Sequence, residues 1–287
     1  MYEIVEKRIL NESVTEIKVL APLVAAHAKA GQFVILRPDE ESERIPLTVA
    51  GYDRTRGTVT VIFQTVGATT LRLSRLNVGD AVRDFVGPLG NPTDLDGISE
   101  ICIVGGGVGC AIALPVARAF HELGCRVKCI IGFRSRELVI LEDEFREVSD
   151  ELTVVTDDGS YGERGNVCIP LRKYLEGGAR PDRVMAIGPL VMMKYASLCA
   201  SEFGIPSVVS MNPVMIDGTG MCGGCRITLK GADGKRTTRF ACVDGPEFDG
   251  AAVDFDEAMS RSGAYRELER HAYERECNLF RGVCDDE

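Results

Sequence analysis

The 287-residue chain carries 43 acidic and 33 basic side chains, for a net charge of −10. That balance argues against nucleic acid as a partner, because polyanions select basic surfaces. No apolar run approaches the ~20 residues needed to span a bilayer. The N-terminal MYEIVEKRIL lacks the apolar stretch of a signal peptide, so a cytoplasmic location is expected.

Residues 1–97 read as all-β. Strand patterns recur in EIVEKRIL, VTEIKVLAP, QFVILRP, IPLTVAGYD and TVTVIFQTV, separated by turn formers and interrupted by one helical stretch, TTLRLSRL. Short strands with turn signals at this spacing predict a β-barrel. Over residues 98–211 the pattern changes to alternating apolar strands and amphipathic helices. ICIVGGG, RVKCIIGF, LTVVTDD, RVMAIG and PSVVSM are the strand candidates. This βαβα order predicts a doubly wound parallel sheet of about five strands, covered on both faces. Residues 212–250 are short and rich in Gly and Cys, with a hairpin expected in CRITLKGADGKRTTRFAC. Residues 251–287 form a charged tail with helical spacing.

Eleven cysteines are too scattered, in a chain this long, to read as a disulfide framework. Cys102, Cys125, Cys129, Cys168 and Cys199 lie in apolar surroundings and are expected to pack as small hydrophobes. Cys277 and Cys284, in the tail, take no assigned role.

Glycine-rich turns mark candidate ligand sites. GGGVG (Gly105, Gly106, Gly107, Val108 and Gly109) follows a strand and opens a helix. Free N–H groups and the helix dipole would meet a phosphate there, although a plain tight turn has the same sequence. The next strand ends in GFRSRE without the acidic residue that holds a ribose 2′-hydroxyl; Arg134 and Arg136 lean toward NADP by that rule alone. Asp158 and Gly159 in DDGSYGERG, and Gly188 and Pro189 in IGPLVMM, fall at the carboxyl ends of further strands. In the β-region, RIPLT sets Arg44 for a pyrophosphate and Thr48 near a flavin N5, and VGATTL begins a helix suited to a diphosphate.

The loop MIDGTGMCGGCRITL reads Asp217-x4-Cys222-x2-Cys225, followed by Cys242 beyond the hairpin. Plant-type [2Fe–2S] ferredoxins use C-x4-C-x2-C and a distant Cys, so only the first ligand differs. Gly218, Gly220, Gly223 and Gly224 let backbone N–H groups turn toward sulfur. Three readings stand: a carboxylate-ligated [2Fe–2S] cluster, a Cys3Asp zinc site, or a metal-free loop in which Asp217 is a turn residue.

Taken in order, RIPLT, GPLGNP, IVGGGVG, MNPVMIDGTGMCGGCR and FACVDGPEFDG resemble the ferredoxin–NADP reductase superfamily. Within it they are similar to electron-transfer subunits of dihydroorotate dehydrogenase. The resemblance is closer to small (alpha) subunits of NADH-dependent reduced ferredoxin:NADP oxidoreductases, also called sulfide dehydrogenases, and it covers essentially the whole chain. It implies an FAD-binding barrel, an NAD-binding α/β domain and a small C-terminal iron–sulfur segment. It places flavin contacts on Pro46, Leu47 and Thr48, on Ile62, Phe63 and Gln64, and on Thr69 and Thr70. It makes aspartate the first cluster ligand, and NADH the nucleotide. It further implies a larger partner subunit with a second FAD and [4Fe–4S] clusters that binds NADP(H) and ferredoxin. In such a complex NADPH electrons bifurcate at the partner's flavin, one branch reducing ferredoxin and the other passing through this chain's cluster and FAD to NAD. Two positions depart from the wider family. Ile45 stands directly before the Pro where dihydroorotate subunits have Arg, and Ile187 replaces a frequent Cys.

NADH gives up a hydride while an iron–sulfur cluster moves single electrons, and a flavin between them converts one into the other. No side-chain acid, base or nucleophile is then required, and His27, His121 and His271 are scattered without metal spacing. The rival readings are a dihydroorotate dehydrogenase electron-transfer subunit, where a Cys is expected at position 217, and a regulatory nucleotide-binding protein with structural zinc.

Overall fold

Residues 1–231 and 233–281 are described in a computed structural model of the chain. The N-terminal strands are β1 (Tyr2–Ile9), β2 (Val14–Leu20), β3 (Phe33–Arg37), β4 (Ile45–Asp53), β5 (Thr58–Gln64), β6 (Ala81–Val82) and β7 (Asp84–Leu89), with helices α1 (Pro22–His27) and α2 (Ala68–Arg75). They form one antiparallel sheet in the order β6-β1-β2-β5-β4-β3-β7. Only Arg83 separates β6 from β7, so the two ends of the sheet are adjacent along the chain and the barrel is nearly closed. Register shifts at Ile4/Glu6, Phe33/Ile35 and Val49/Gly51 supply the bulges that let it curl. Alternate residues such as Ile17, Val19, Val34, Leu36 and Phe63 fill its interior.

The expected strand VTEIKVLAP stops earlier, at Leu20. Pro22, suited to a first helical position, starts α1 instead. β6 and β7 escape a periodicity reading because the first is two residues long and the second contains Gly87 and Pro88.

The second sheet contains β8 (Glu100–Gly106), β9 (Arg126–Phe133), β10 (Glu151–Thr156), β11 (Glu163–Arg164), β12 (Arg183–Ile187) and β13 (Ser207–Ser210). Its helices are α3 (Cys110–Glu122), α4 (Glu142–Glu147), α5 (Cys168–Glu176) and α6 (Leu190–Glu202). The five anticipated strands are all parallel and ordered β10-β9-β8-β12-β13. Ile101 and Ile103 pack with α3 and α4, whereas Cys102 and Val104 pack with α5 and α6. Burial on both faces explains the unbroken apolar runs. Cys102, Cys129 and Cys199 are buried as expected, and Cys125 and Cys168 half-buried.

The remaining segment forms the hairpin β14 (Arg226–Lys230) and β15 (Arg236–Phe240), then β16 (Glu247–Asp249). β16 pairs antiparallel with β13 and so extends the second sheet. The tail is two helices, α7 (Phe255–Ser262) and α8 (Arg266–Arg281), broken after Gly263. Cys284 lies outside the described residues.

Phe120 of α3 is fully buried, while Leu123, one turn on, is 61% exposed. Phe120→Ala should cost about 3–5 kcal/mol of unfolding free energy. Leu123→Ala should stay within about 0.5 kcal/mol in the same denaturant titration.

Candidate functional site

Strands β3, β4 and β5 set the flavin-candidate residues side by side. Phe33 pairs with Thr48 and Ile35 with Pro46. Val49 pairs with Val61, so Thr48 and Ile62 occupy the next positions along neighbouring strands. The strand alternation splits the second group. Phe63 points into the barrel core, whereas Ile62 packs toward the nucleotide sheet with Val14 and Ala50. Phe63 therefore has only its backbone to offer a ligand. Gln64 Nε2 donates to Ser13 Oγ at 3.4 Å.

Thr69 and Thr70 are engaged in organising the start of α2. The Thr70 hydroxyl accepts from the N–H groups of Val66 and Gly67 at 3.0 Å. Thr69 Oγ1 accepts from Glu43 N–H at 3.2 Å, tying α2 to the turn that leads into Arg44. The exposed Arg44 guanidinium lies 4.0 Å from Asp84, and its charge also bears on Asp217. It thus stands between the barrel and the cysteine loop.

The nucleotide candidates converge at the sheet's switch point, where strand order reverses between β8 and β12. Open α/β sheets bind ligands at this place. Gly107–Gly109 form a single 3-10 turn leading into α3. A Cβ on Gly109 would lie 2.5 Å from the Ile187 carbonyl and 2.7 Å from Gly188 Cα. Only glycine lets the GGGVG turn approach Gly188 and Pro189 so closely. The same turn packs against β5, and α3 against β4, so the nucleotide loops abut the strands carrying Thr48 and Ile62.

Arg134 and the Asp158–Gly159 turn lie at the ends of β9 and β10. Asp158 N–H donates to the Arg134 carbonyl at 3.2 Å. Ser160 donates its hydroxyl and its N–H to the Asp158 carboxylate, at 2.6 and 2.9 Å, holding that carboxyl below its ordinary pKa. Arg136 lies over the Tyr161 ring at 5.5 Å.

The metal candidates form two pairs. Cys225 and Cys242, each nearly fully buried, bring their sulfurs to 3.2 Å across the base of the hairpin. Cys222 and Asp217 lie in the exposed loop, where the Asp217 N–H points at the Cys222 sulfur. N–H groups of Gly224 and Ile216 also address that sulfur. With Gly224 the strongest influence, they hold its thiol below the usual pKa. Gly220 N–H addresses Cys242, whose thiol burial and the neighbouring Cys225 push up to about 12. Inward-turned N–H groups are the environment anticipated from the loop's glycines.

The Asp217 carboxylate accepts from the Thr219 hydroxyl, from Thr219 N–H at 3.0 Å and from Met221 N–H at 3.4 Å, all through Oδ2. Oδ1 is the oxygen left for a metal. Among the described residues, no three donors meet at a single metal position. The loop is seated by Gly218, at φ 82°, where a Cβ would lie 2.9 Å from Leu89 and 3.0 Å from Ile35.

One functional neighbour escaped the sequence. Glu247 of β16 lies within PEFDG, and nothing in that pattern marks it as buried. Its Oε1 accepts from Thr93 Oγ1 at 2.6 Å. Asn91 N–H donates to Gly245 O at 2.7 Å and its Nδ2 to Val243 O at 3.2 Å. The 91–93 linker is thereby fastened to the chain just beyond Cys242. Burial raises the Glu247 carboxyl to about 7, against the opposing pull of Thr93 and Arg183.

A family profile of the iron–sulfur cluster binding domain of dihydroorotate dehydrogenase B matches residues 212–254. A dihydroorotate dehydrogenase B (NAD(+)) electron transfer subunit homolog from Thermotoga maritima is 45% identical over 273 residues, spanning 95% of this chain and 94% of the relative. The electron transfer subunit of dihydroorotate dehydrogenase B from Streptococcus pneumoniae strain R6 is 33% identical over 225 residues, or 77% of this chain and 85% of the relative. A solved structure of the NADH-dependent reduced ferredoxin-NADP oxidoreductase, described in connection with flavin-based electron bifurcation, superposes with a TM-score of 0.88. It is 44% identical and covers 96% of this chain and 97% of that one.

Between about pH 4.5 and 7 the folded chain holds a proton on Glu247 that the unfolded chain has released, so this carboxyl lowers stability as pH rises through that window. Glu247→Gln keeps an acceptor for Thr93 and removes the titration. Its melting temperature, relative to the unsubstituted chain, should rise by about 5–10 °C between pH 5 and pH 7.5, because a carboxyl raised from 4.5 to about 7 loses about 2–3 kcal/mol over that window. A pH-independent offset would contradict the assignment.

Proposed function

Because this chain belongs to the family of dihydroorotate dehydrogenase B electron transfer subunits and their homologues, we propose that it is the FAD- and [2Fe–2S]-bearing subunit of an NADH-dependent reduced ferredoxin:NADP oxidoreductase. The observation that carries this reading is the donor array of the cysteine loop, with Asp217 in the place of a first cysteine. Two separated pairs suit a two-iron cluster, whose four protein ligands are divided between its irons. Structural zinc instead gathers four donors on one ion. The dihydroorotate dehydrogenase assignment is weaker, since a relative bearing that name without qualification is 33% identical over 77% of the chain, against 44% over 96% for the oxidoreductase structure.

When bound, the flavin interconverts hydride and single-electron transfer, and the cluster supplies the one-electron step. The chain's residues hold and orient these groups. Pro46 and Thr48, with Ile62 and the backbone at Leu47, Phe63 and Gln64, would hold the flavin ring. The Thr48 hydroxyl would be available to donate a hydrogen bond to it, whereas the Leu47 side chain packs against the barrel core. Arg44 and the start of α2 at Thr69 and Thr70 serve the diphosphate. Gly105–Gly109, Gly188 and Pro189 receive the nicotinamide nucleotide at the switch point, and Arg134 with Asp158 and Gly159 receive its distal half. Asp217, Cys222, Cys225 and Cys242 hold the cluster, with Gly224, Ile216 and Gly220 N–H groups offsetting the charge on sulfur. No side chain is required to exchange a proton with substrate.

The nucleotide is NAD(H). The partner is a larger subunit carrying flavin and [4Fe–4S] clusters, at which NADP(H) and ferredoxin react. In that complex the cluster and FAD held by this chain would supply the electron-transfer link between the partner and NAD. Among the described residues, no helix is long and apolar enough to cross a membrane, and the reading places the complex in the cytoplasm.

Asp217→Ala, purified anaerobically, should lose iron and change its EPR spectrum. Asp217→Cys should keep its iron and move the spectrum toward that of an all-thiolate cluster. Full iron content with an unaltered spectrum in the alanine variant would remove Asp217 as a ligand. A colourless unsubstituted protein would remove the redox reading altogether. Co-purification with the partner and assay with NADPH, NAD and ferredoxin, against dihydroorotate, separates the two related subunits.

A further inference from the structure

The sixteen-residue α8 packs against α2. Its sequence is dominated by charge, so it has little reason to stay folded without a specific seat. That seat is one helix face. Tyr273, Glu276 and Cys277 have the i, i+3, i+4 spacing of side-chain neighbours. The Tyr273 hydroxyl and Cys277 thiol are hydrogen-bonded to each other, with the charge of Arg75 of α2 nearby. Glu276 is only 6% exposed. Arg72 of α2 grips it with two hydrogen bonds, Nε to Oε1 at 2.5 Å and Nη2 to Oε2 at 3.0 Å.

The third nitrogen of the same guanidinium turns the other way. Arg72 Nη1 donates to Asp39 at 3.3 Å and to Glu41 at 3.1 Å. Asp39 in turn accepts from the N–H groups of Glu41 and Ser42, at 2.9 and 2.8 Å. Glu43 N–H then reaches Thr69. One half-buried arginine therefore joins the C-terminal helix, α2 and the 39–43 turn. The last two flank the flavin residues, since the turn runs into Arg44 and α2 begins with Thr69 and Thr70.

We propose that α8 is a strap over the flavin site, and that Glu276 and Arg72 are positioning residues for flavin retention. The proposal rests on the assignment of residues 44–48, 62–64 and 69–70 to the flavin. Without Arg72 the buried Glu276 charge would be left unpaired. Without the Glu276 charge α8 loses its grip on Arg72, which still holds Asp39 and Glu41, so α8 is either seated on Arg72 or displaced. When it is displaced, α2 and the 39–43 turn lose a shared anchor. Coupling between two binding events is reciprocal, so flavin binding must tighten α8, a helix that holds none of the flavin residues.

The test is hydrogen exchange of the full-length chain with and without FAD, together with the rate of FAD release after dilution. FAD should slow amide exchange in α8. Glu276→Gln should abolish that slowing and speed FAD release about tenfold, with iron content unchanged. Glu274→Gln should behave as the unsubstituted chain, because Glu274 is 57% exposed on the same helix and, among the described residues, pairs with Arg270 and His271 of its own helix. Exchange in α8 that ignores FAD in the unsubstituted chain, or equal FAD release from Glu276→Gln, would overturn the strap. Failure of the unsubstituted chain to take up FAD would instead overturn the flavin assignment, and the strap with it.

Discussion

Phe33 and Ile35 of the barrel share one buried apolar cluster with Met215, Cys225 and Cys242 of the cysteine loop and with Val184 and Ala186 of the nucleotide sheet. This common core is the constraint on which the other spacings depend. A segment the size of residues 212–250 cannot bury enough surface to fold by itself. Its apolar side chains complete a core that its neighbours have begun. Because protein interiors are close-packed, a displacement of the loop is resisted by β3 on one side and by β12 and β13 on the other. Gly218 against Ile35 and Leu89 is one of the tight points of that seat.

A second core joins the barrel to the nucleotide sheet from the other flank. Val14, Ala50 and Ile62 pack with the residues of α3 and β8 that lie beneath the glycine turn. The strands carrying Thr48 and Ile62 thus abut the switch point through packed side chains, not through a linker alone. Electron transfer between groups on the barrel, the sheet and the loop depends on their separation, and in this chain that separation is set by apolar burial. The hydrogen bonds of Asn91 and Thr93 to the chain beyond Cys242 add direction to a contact whose hydrophobic part has none.

Elements whose burial is uniform along their length were legible in the sequence. The five parallel strands read as continuous apolar runs because both faces are covered, and the β14–β15 hairpin announced itself through its turn. Elements defined by tertiary partners were not legible. β16 is three residues long and is a strand only because β13 lies beside it. β7 carries a Gly-Pro that argues against a strand when read alone, yet it pairs with β3 to close the barrel. The same division holds at the site. Glycine turns, the Asp-Cys-Cys-Cys spacing and the RIPLT segment could be read from residue types. The inward direction of Phe63, the burial of Glu247 and the reach of Arg72 to Glu276 depend on where distant segments fold, and local pattern carries no record of that.

The loop's choice of aspartate has a physical reading once its hydrogen bonds are known. A carboxylate and a thiolate each bring one negative charge, so the exchange leaves the total charge of the donor set unchanged. The N–H groups that turn toward sulfur at Cys222 and Cys242 are supplied by Gly224, Asp217, Ile216 and Gly220 backbone, and none of them depends on the side chain at 217. What changes is one donor atom, from a soft, polarisable sulfur to a hard oxygen. Thr219 and Met221 donate to one carboxylate oxygen, Oδ2, which leaves Oδ1 for the proposed ligation. If Asp217 is the proposed ligand, the loop keeps its charge and its packing on Ile35 and Leu89 while the donor atom changes at a single position. Such an exchange would tune one end of a cluster without moving the core that seats it.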